Sequence, residues 1–507
     1  MATEAIYERF TIDWNDKRYS LYTSILFNFL KIQNVVIIKY GEVIFIIVGG
    51  SLVGFSKELQ QIFPKDRVTT NEIILEHHSV DESHHTASRP DVVVFPINRE
   101  EVSEIMKIAN KYEAPVIPFG LGSSLEGHVI PYHSGISVDF SLMNQIIEVR
   151  EKDLLVKVQP GVTRTQLNKE LKKYGSFFPV DPGADATIGG MAATNASGTT
   201  SVRYGTMKDQ VRDLEVVTAD GTILHTGNLA AKSSSGYNLN SLFVGSEGTL
   251  GLFTEITLKV YGIPECTMAA RAVFPSTEDA VNAVVSVLQA GIPIARSELV
   301  DARSIQQVNQ YNGTSYKIAP TIFLEFHGNE AGLNQDVGFT KELFSDHGCQ
   351  EFIFETDSKA VHQLWEARHN LAYAFIHGTP GKKMMTTDVV VPISELAGAI
   401  HDARLKLNEL GIDGALLGHV GDGNYHAILM IDKNNPSEVE IADHFNKHIV
   451  EYALACGGTC TGEHGVGIGK KKYQKLEHGE AFDLMLLIKK TMDPKCLLNP
   501  DKIFDKY

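Results

Sequence analysis

Two periods of hydrophobicity run through the chain from Ser56 onward. Across 100–112 the apolar residues Val102, Ile105, Met106, Ala109 and Tyr112 recur at helical spacing, which predicts a helix with one buried face. A second helix is expected over 163–174, stopped by Gly175, and a short one over 56–63. Short apolar runs at 91–95, 115–119, 136–139 and 154–159 have the length of buried strands. Runs 214–217 and 222–225 flank the turn pair Asp220-Gly221 and predict a hairpin.

The pattern shifts near Pro264. Beyond it, strands are expected at 269–274, 295–300 and 321–327, with helices at 277–290 and 332–347. A second series follows: strand 388–391, helix 394–410, strands 414–419 and 425–431, and helix 436–455. Units of this kind predict an antiparallel sheet with helices on one face. The expected fold class is α+β, with domains at 56–265 and 266–507 behind an atypical extension, 1–55.

Composition narrows the class. Lys and Arg total 46 against 62 Asp and Glu, a net charge of −16, with no basic run. Phosphate backbones need clustered cations, so nucleic acid is not an expected partner. Five cysteines in 507 residues make no disulfide framework. Cys456 and Cys460, four apart, fit neither a redox pair nor a zinc knuckle, and a reducing compartment is expected. The uncharged run 43–56 is shorter than the ~20 residues that span a bilayer. Membrane association is left open, and residues 1–55 are assigned no fold. The early acids Glu4, Glu8, Asp13 and Asp16 do not suit a transit peptide.

Backbone freedom is concentrated in PFGLGSSLEGH (118–128), in the run from Val180 to Gly205, and in VGSEGTLG (244–251). Without a Cβ, such loops bring amide groups close to an anion. A dinucleotide fingerprint from Gly120 would need glycine at 125, where Leu125 stands. A P-loop ending at Gly469-Lys470 would need glycine at 464, where His464 stands. A large phosphate-bearing cofactor is therefore expected on some other fold.

The run GHVGDGNYH, Gly418 to His426, carries the sharpest chemistry. If Asp422-Gly423 is a two-residue hairpin turn, His419 faces His426 at a chelating distance. Downstream, Glu463 and His464 sit among Gly462, Gly465, Gly467 and Gly469. Two His and one Glu form a common set for a catalytic metal with open positions, and His464 would be left free to move a proton. Zinc and manganese both suit the set. Asp422 is explained by its turn. The cluster His77, His78, His84 and His85 is read as a solvated or cofactor-adjacent loop, because paired neighbours on an irregular segment converge poorly. Trp365 and Tyr373 are open between pocket and core.

Together PFGLGSSLEG, the 180–205 run, RYG and VGSEGTLG resemble the FAD-binding domain of vanillyl-alcohol-oxidase (PCMH-type) flavoproteins. The second half resembles the FAD-linked oxidase C-terminal domain, and the whole resembles the D-2-hydroxyacid dehydrogenases of that group. The resemblance implies FAD. Its pyrophosphate would lie on Pro118, Gly120, Gly122, Ser123, Ser124, Leu125, Glu126 and Gly127. Its ring and ribityl side would meet Pro182, Gly183, Gly189, Gly190, Ala193, Thr194, Ser197, Gly198, Tyr204 and Gly205, with Gly248 and Asn499 alongside. Ser124 and His128 stand where that family commonly has glycine.

The same resemblance implies a divalent metal (zinc or manganese) on His419, His426 and Glu463, with His464 as base. Arg368 and Lys383 would hold the substrate carboxylate. The implied reaction is oxidation of D-lactate or a related D-2-hydroxy acid to the 2-oxo acid, with hydride passing from C2 to flavin N5. Electrons would go on to cytochrome c, or to an electron-transfer flavoprotein, and the implied compartment is the mitochondrion. Two alternatives stay open: D-2-hydroxyglutarate as substrate, and a flavin-free metal hydrolase built on the His/Glu cluster.

Overall fold

The computed structural model describes residues 35–40, 43–48 and 52–507. Two units divide the chain, 1–57 and 58–507. In the first, strands Val35–Tyr40 and Val43–Val48 pair antiparallel. Residues 1–34, with the early acidic residues, and 41–42 and 49–51 lie outside the described residues. The helix expected from Ser56 runs over Leu52–Ile62. No helix among the described residues is long and apolar enough to cross a membrane.

The second unit opens with a four-stranded sheet in the order Val68–Thr69, Val92–Val94, Ile136–Asp139, Val116–Phe119. Its last two pairings are parallel. Helix Arg99–Tyr112 buries Val102, Ile105, Met106 and Ala109, the face its periodicity predicted. A five-stranded antiparallel sheet follows, in the order Ile223–His225, Val211–Val217, Leu252–Lys259, Leu155–Val158, Ile146–Arg150. The Asp220-Gly221 hairpin forms as expected, with Glu215 opposite His225. The helix expected over 163–174 is α-helical over Arg164–Leu171 and tightens to a 3-10 turn before Gly175, which ends it at φ 62°.

The third sheet is antiparallel, as its sequence pattern implied. Its strand order is Glu351–Glu355, Cys266–Val273, Thr321–Gly328, Ile294–Val300, Gly414–His419, Asn424–Ile431, Lys383–Thr386. The short strand Val389–Val390 pairs with the start of Asn424–Ile431. Helices cover both faces, not one. On one face Leu299, Ile322, Leu324, Leu416, Ala427 and Leu429 pack under residues of helices Thr277–Gln289, Glu330–Asp346, Leu396–Leu410 and Pro436–Ala455. On the other, Val300, Phe323, Ala415, Leu417 and Ile428 pack against Ile305, Trp365 and Phe375. The second face is covered only in part by apolar packing. Beyond it the same strands present Arg296, Glu298, Glu325, His327, His419 and His426. A strand's side chains alternate, so these charged residues share the face of their apolar neighbours two positions away.

Candidate active site and metal centre

Strand Gly414–His419 lies between Ile294–Val300 and Asn424–Ile431, and Glu298 stands directly opposite His419. Across the hairpin the register differs from expectation. Leu417, not His419, is opposite His426. The loop holds four residues, Val420 to Gly423, and begins with a turn in which Asp422 N donates to His419 O at 3.1 Å. Four-residue loops of this type are common in hairpins. The shift moves the pairing by two positions, an even number, so both histidines keep the same face as diagonal neighbours. Their ring centroids are 5.4 Å apart.

Both rings are fixed from behind. His419 Nδ1 is 2.5 Å from Glu298 Oε1, and His426 Nδ1 donates to Thr387 O at 2.9 Å. Each imidazole therefore turns Nε2 toward Glu463, whose Oε1 is 3.4 Å from both. The three donor atoms lie within 4.8 Å of one another, the one such cluster among the described residues. A metal with ligand bonds of about 2.1 Å in a tetrahedron has ligand–ligand edges of about 3.4 Å. The donor set and its spacing fit a divalent metal. Burial works against charge on His419, yet Glu298 and Glu463 outweigh it and hold its pKa well above the ordinary histidine value. Burial raises the pKa of half-buried Glu463, but the two histidines outweigh it and hold the carboxyl well below the ordinary carboxylate range.

Glu463 and His464 lie on a loop held by Asp388. One oxygen of this carboxylate, Oδ2, accepts from the amides of Gly462, Glu463 and His464, and from Thr461 Oγ1. Lys470 Nζ reaches Asp388 O at 2.8 Å and Oδ2 at 3.3 Å. Burial opposes the Asp388 charge, but Lys470, His464 and His426 hold its pKa well below the usual range. His464 stacks on His426, rings 5.5 Å apart and 17° from parallel. Its Nδ1 is buried with no hydrogen-bond partner, and burial pushes the ring's pKa down to about 4. It is a neutral imidazole with a free nitrogen.

The glycine loops meet the same cluster. A Cβ on Gly120 would lie 2.6 Å from Thr187 Oγ1, and one on Gly248 2.5 Å from Pro118 Cγ, so the three glycine-rich segments are in contact. Glu247, in the third segment, accepts from the amides of Val466 and Gly467. Ser197, in the second, donates to Glu463 Oε2 at 3.3 Å. Asn499 donates to His128 O and Glu247 O. Around this junction His85 Nε2, His128 Nδ1, Ser246 Oγ and Asn499 Oδ1 are buried without partners. Unpaired buried polar atoms are costly, and a cluster of them beside glycine loops suits a polar cofactor such as FAD.

Not every expected residue joins. Tyr204 turns its hydroxyl to His327 Nδ1, 2.8 Å away, in an aromatic group with Phe177 and Tyr261. Arg368, on helix Ser358–His369, places Nε 2.9 Å and Nη2 2.8 Å from Glu298 Oε2, beside the metal ligands. Lys383 does not approach. It is exposed and pairs with Ile431, whose side chain packs on the opposite face of the sheet. Thr386, paired with Ile428, is the residue of that strand nearest the centre on the correct face. Of the early histidines, His78 is buried on Asp139, His77 and His84 are exposed, and His85 abuts the glycine loop at Gly127. Trp365 is core and Tyr373 is exposed. All five cysteines are free.

Sequence reasoning missed Glu298, Asp388, Lys470 and Glu247. A signal for Glu298 was present: the charged residues at 296 and 298 fall on one parity of a strand that is apolar at both ends, which marks a polar patch on one face. Asp388 heads an apolar run, and its partner is 82 residues away.

Residues 263–503 match the family described as FAD linked oxidases, C-terminal domain, and residues 90–227 match the FAD binding domain. The probable mitochondrial D-lactate dehydrogenase of Danio rerio is 46% identical over 442 residues, 86% of this chain and 89% of that one. The mitochondrial D-lactate dehydrogenase [cytochrome] of Arabidopsis thaliana is 41% identical, over 84% of this chain and 75% of its own. Among solved structures, p-cresol methylhydroxylase superposes with a TM-score of 0.76 at 16% identity, over 93% of this chain and 99% of that one, which establishes the PCMH-type α+β fold. The flavin-free hydrolase considered from the residues alone has no support in either family match. The chain belongs to the FAD-linked D-lactate dehydrogenase family.

Proposed function

We propose that the protein oxidises D-lactate, and related D-2-hydroxy acids, to the 2-oxo acid. The supporting observation is the juxtaposition of the His419/His426/Glu463 donor set, His464 with its unpartnered Nδ1, and the glycine-loop junction within one site. When bound there, FAD supplies a two-electron acceptor and a divalent metal supplies a Lewis acid for the substrate hydroxyl. Arg368 offers its guanidinium to the substrate carboxylate, the geometry to which a planar fork is suited. His464 takes the hydroxyl proton at its free ring nitrogen. Asp388 and Lys470 keep that nitrogen in place by fixing the loop backbone.

The names of the relatives support a cytochrome as the electron acceptor, cytochrome c in our reading, and the mitochondrion as the compartment. The test is an anaerobic visible spectrum of the purified protein before and after D-lactate, with L-lactate as control. The flavin bands should bleach with the D form alone. A flavin spectrum unmoved by D-lactate but bleached by D-2-hydroxyglutarate would transfer the reading to the dicarboxylate.

A further inference from the structure

The side of the site away from the flavin loops holds a carboxylate with no assigned role. Glu298 is fully buried in strand Ile294–Val300. Its two oxygens point to different partners. Oε1 meets His419 Nδ1 at 2.5 Å, and Oε2 meets Arg368 Nε and Nη2 at 2.9 and 2.8 Å. One partner is a donor for the candidate metal and the other is the candidate anchor for the substrate carboxylate. A buried carboxylate has strong geometric demands, because each unmet lone pair costs free energy in a site closed to water.

We propose that Glu298 is a positioning residue that sets the metal ligand and the substrate anchor as one unit. This rests on the metal and substrate roles proposed above. With Oε1 accepting from Nδ1–H, His419 is confined to the tautomer whose Nε2 lone pair faces Glu463. With Oε2 taking two guanidinium N–H groups side by side, Arg368 is locked in plane and leaves Nη1 for a ligand. An amide cannot serve both partners. In Glu298→Gln, a side-chain oxygen aimed at Arg368 would turn the NH2 toward His419 and favour the tautomer that protonates Nε2. With the oxygen aimed at His419 instead, two donors would face each other at Arg368. An aspartate is one methylene too short to reach both.

The test uses the FAD-loaded full chain stripped of metal with a chelator, then titrated with zinc and with manganese against a chromophoric competitor. The variants are Glu298→Gln, Glu298→Asp and Arg368→Ala. Loss of an outer-shell partner typically weakens metal binding by roughly 10–100-fold. That weakening is expected in both Glu298 variants, together with a raised KM for D-lactate. Arg368→Ala is expected to raise KM while holding metal affinity within a factor of about three. Wild-type metal affinity in either soluble Glu298 variant overturns the proposal. If the unaltered protein takes up neither metal, the metal reading above fails first, and the titration of that protein alone reveals it. If Glu298→Gln does not fold, Glu298→Asp decides, since it keeps the buried charge.

Discussion

Lys470 reaches Asp388 twice, through the backbone oxygen and through the carboxylate, in a part of the site where both side chains are fully enclosed. The carboxylate in turn holds the amides of three consecutive residues, 462 to 464. Two charges of opposite sign thus fix the loop that carries both the third candidate metal donor, Glu463, and the proposed base, His464.

Removing one of those charges leaves the other buried without its partner. Breaking such a pair costs about 3–5 kcal/mol. Lys470→Met and Asp388→Asn should each lower unfolding stability by about that amount. The double variant should lose less than the sum. Urea denaturation of the four proteins measures this, and additive losses would show that the two side chains act independently.

His464→Ala should abolish flavin reduction by D-lactate while the protein keeps its FAD. A general base contributes roughly 10²–10⁴-fold. Stopped-flow reduction under anaerobic conditions gives the rate directly. A rate within a factor of about ten of the unaltered enzyme would remove His464 from the chemistry.

Lys383 and Arg368 are both cations expected at the substrate, but only Arg368 lies on the site face. Lys383→Ala should leave KM for D-lactate essentially unchanged, because this exposed side chain lies on the far face of the sheet. Arg368→Ala should raise it by at least about tenfold. Steady-state kinetics on the two variants separates them, and a strong Lys383 effect would contradict the sheet register.

Burial pushes the Glu126 carboxyl up to about 7, above its ordinary value of about 4.3 in an unfolded chain. Between those values the folded form keeps a proton that the unfolded form has lost. Stability from this group is therefore present below about pH 4.3 and declines as pH rises toward 7. Glu126→Gln stays neutral and should lose that slope. Thermal midpoints of both proteins from pH 4.5 to 8 should diverge, with the variant gaining as pH rises toward about 7 and the difference levelling off above it.

Prolonged dialysis against a chelator should abolish turnover and leave the flavin spectrum in place, because the metal donors and the glycine loops are separate sets of residues. Readdition of zinc or manganese should restore activity. Full activity in protein shown to be metal-free would assign His419 and His426 another role.

Much of this site was legible before the structure. The motifs singled out His419, His426, Glu463 and His464, and the structure brings these four side chains together, although the hairpin register was wrong by two. The error was harmless because alternation along a strand repeats every second residue; a shift of one would have turned the pair away from each other. Lys383 shows the other outcome. Its place was inferred from a motif without a strand register, and the odd offset from Thr386 put it on the far face. Asp388 and Glu247 were illegible for a different reason. Their partners are distant in sequence, and no local pattern encodes a contact made only when two sheets and a loop close on each other. The single-faced helix layer was also an overreach. Apolar residues on both parities of strands 414–419 and 424–431 call for cover on both sides.

The bond from Ser197 to Glu463 spans 266 positions. Both histidines also precede Glu463 in the chain, so a growing polypeptide on the ribosome holds Ser197, His419 and His426 before the carboxylate that joins them has been synthesised. Any product stopped short of residue 463 lacks the third donor and the base together. The proposed centre cannot be assembled piecemeal during synthesis: it closes only once the loop that carries Glu463 and His464 has been made.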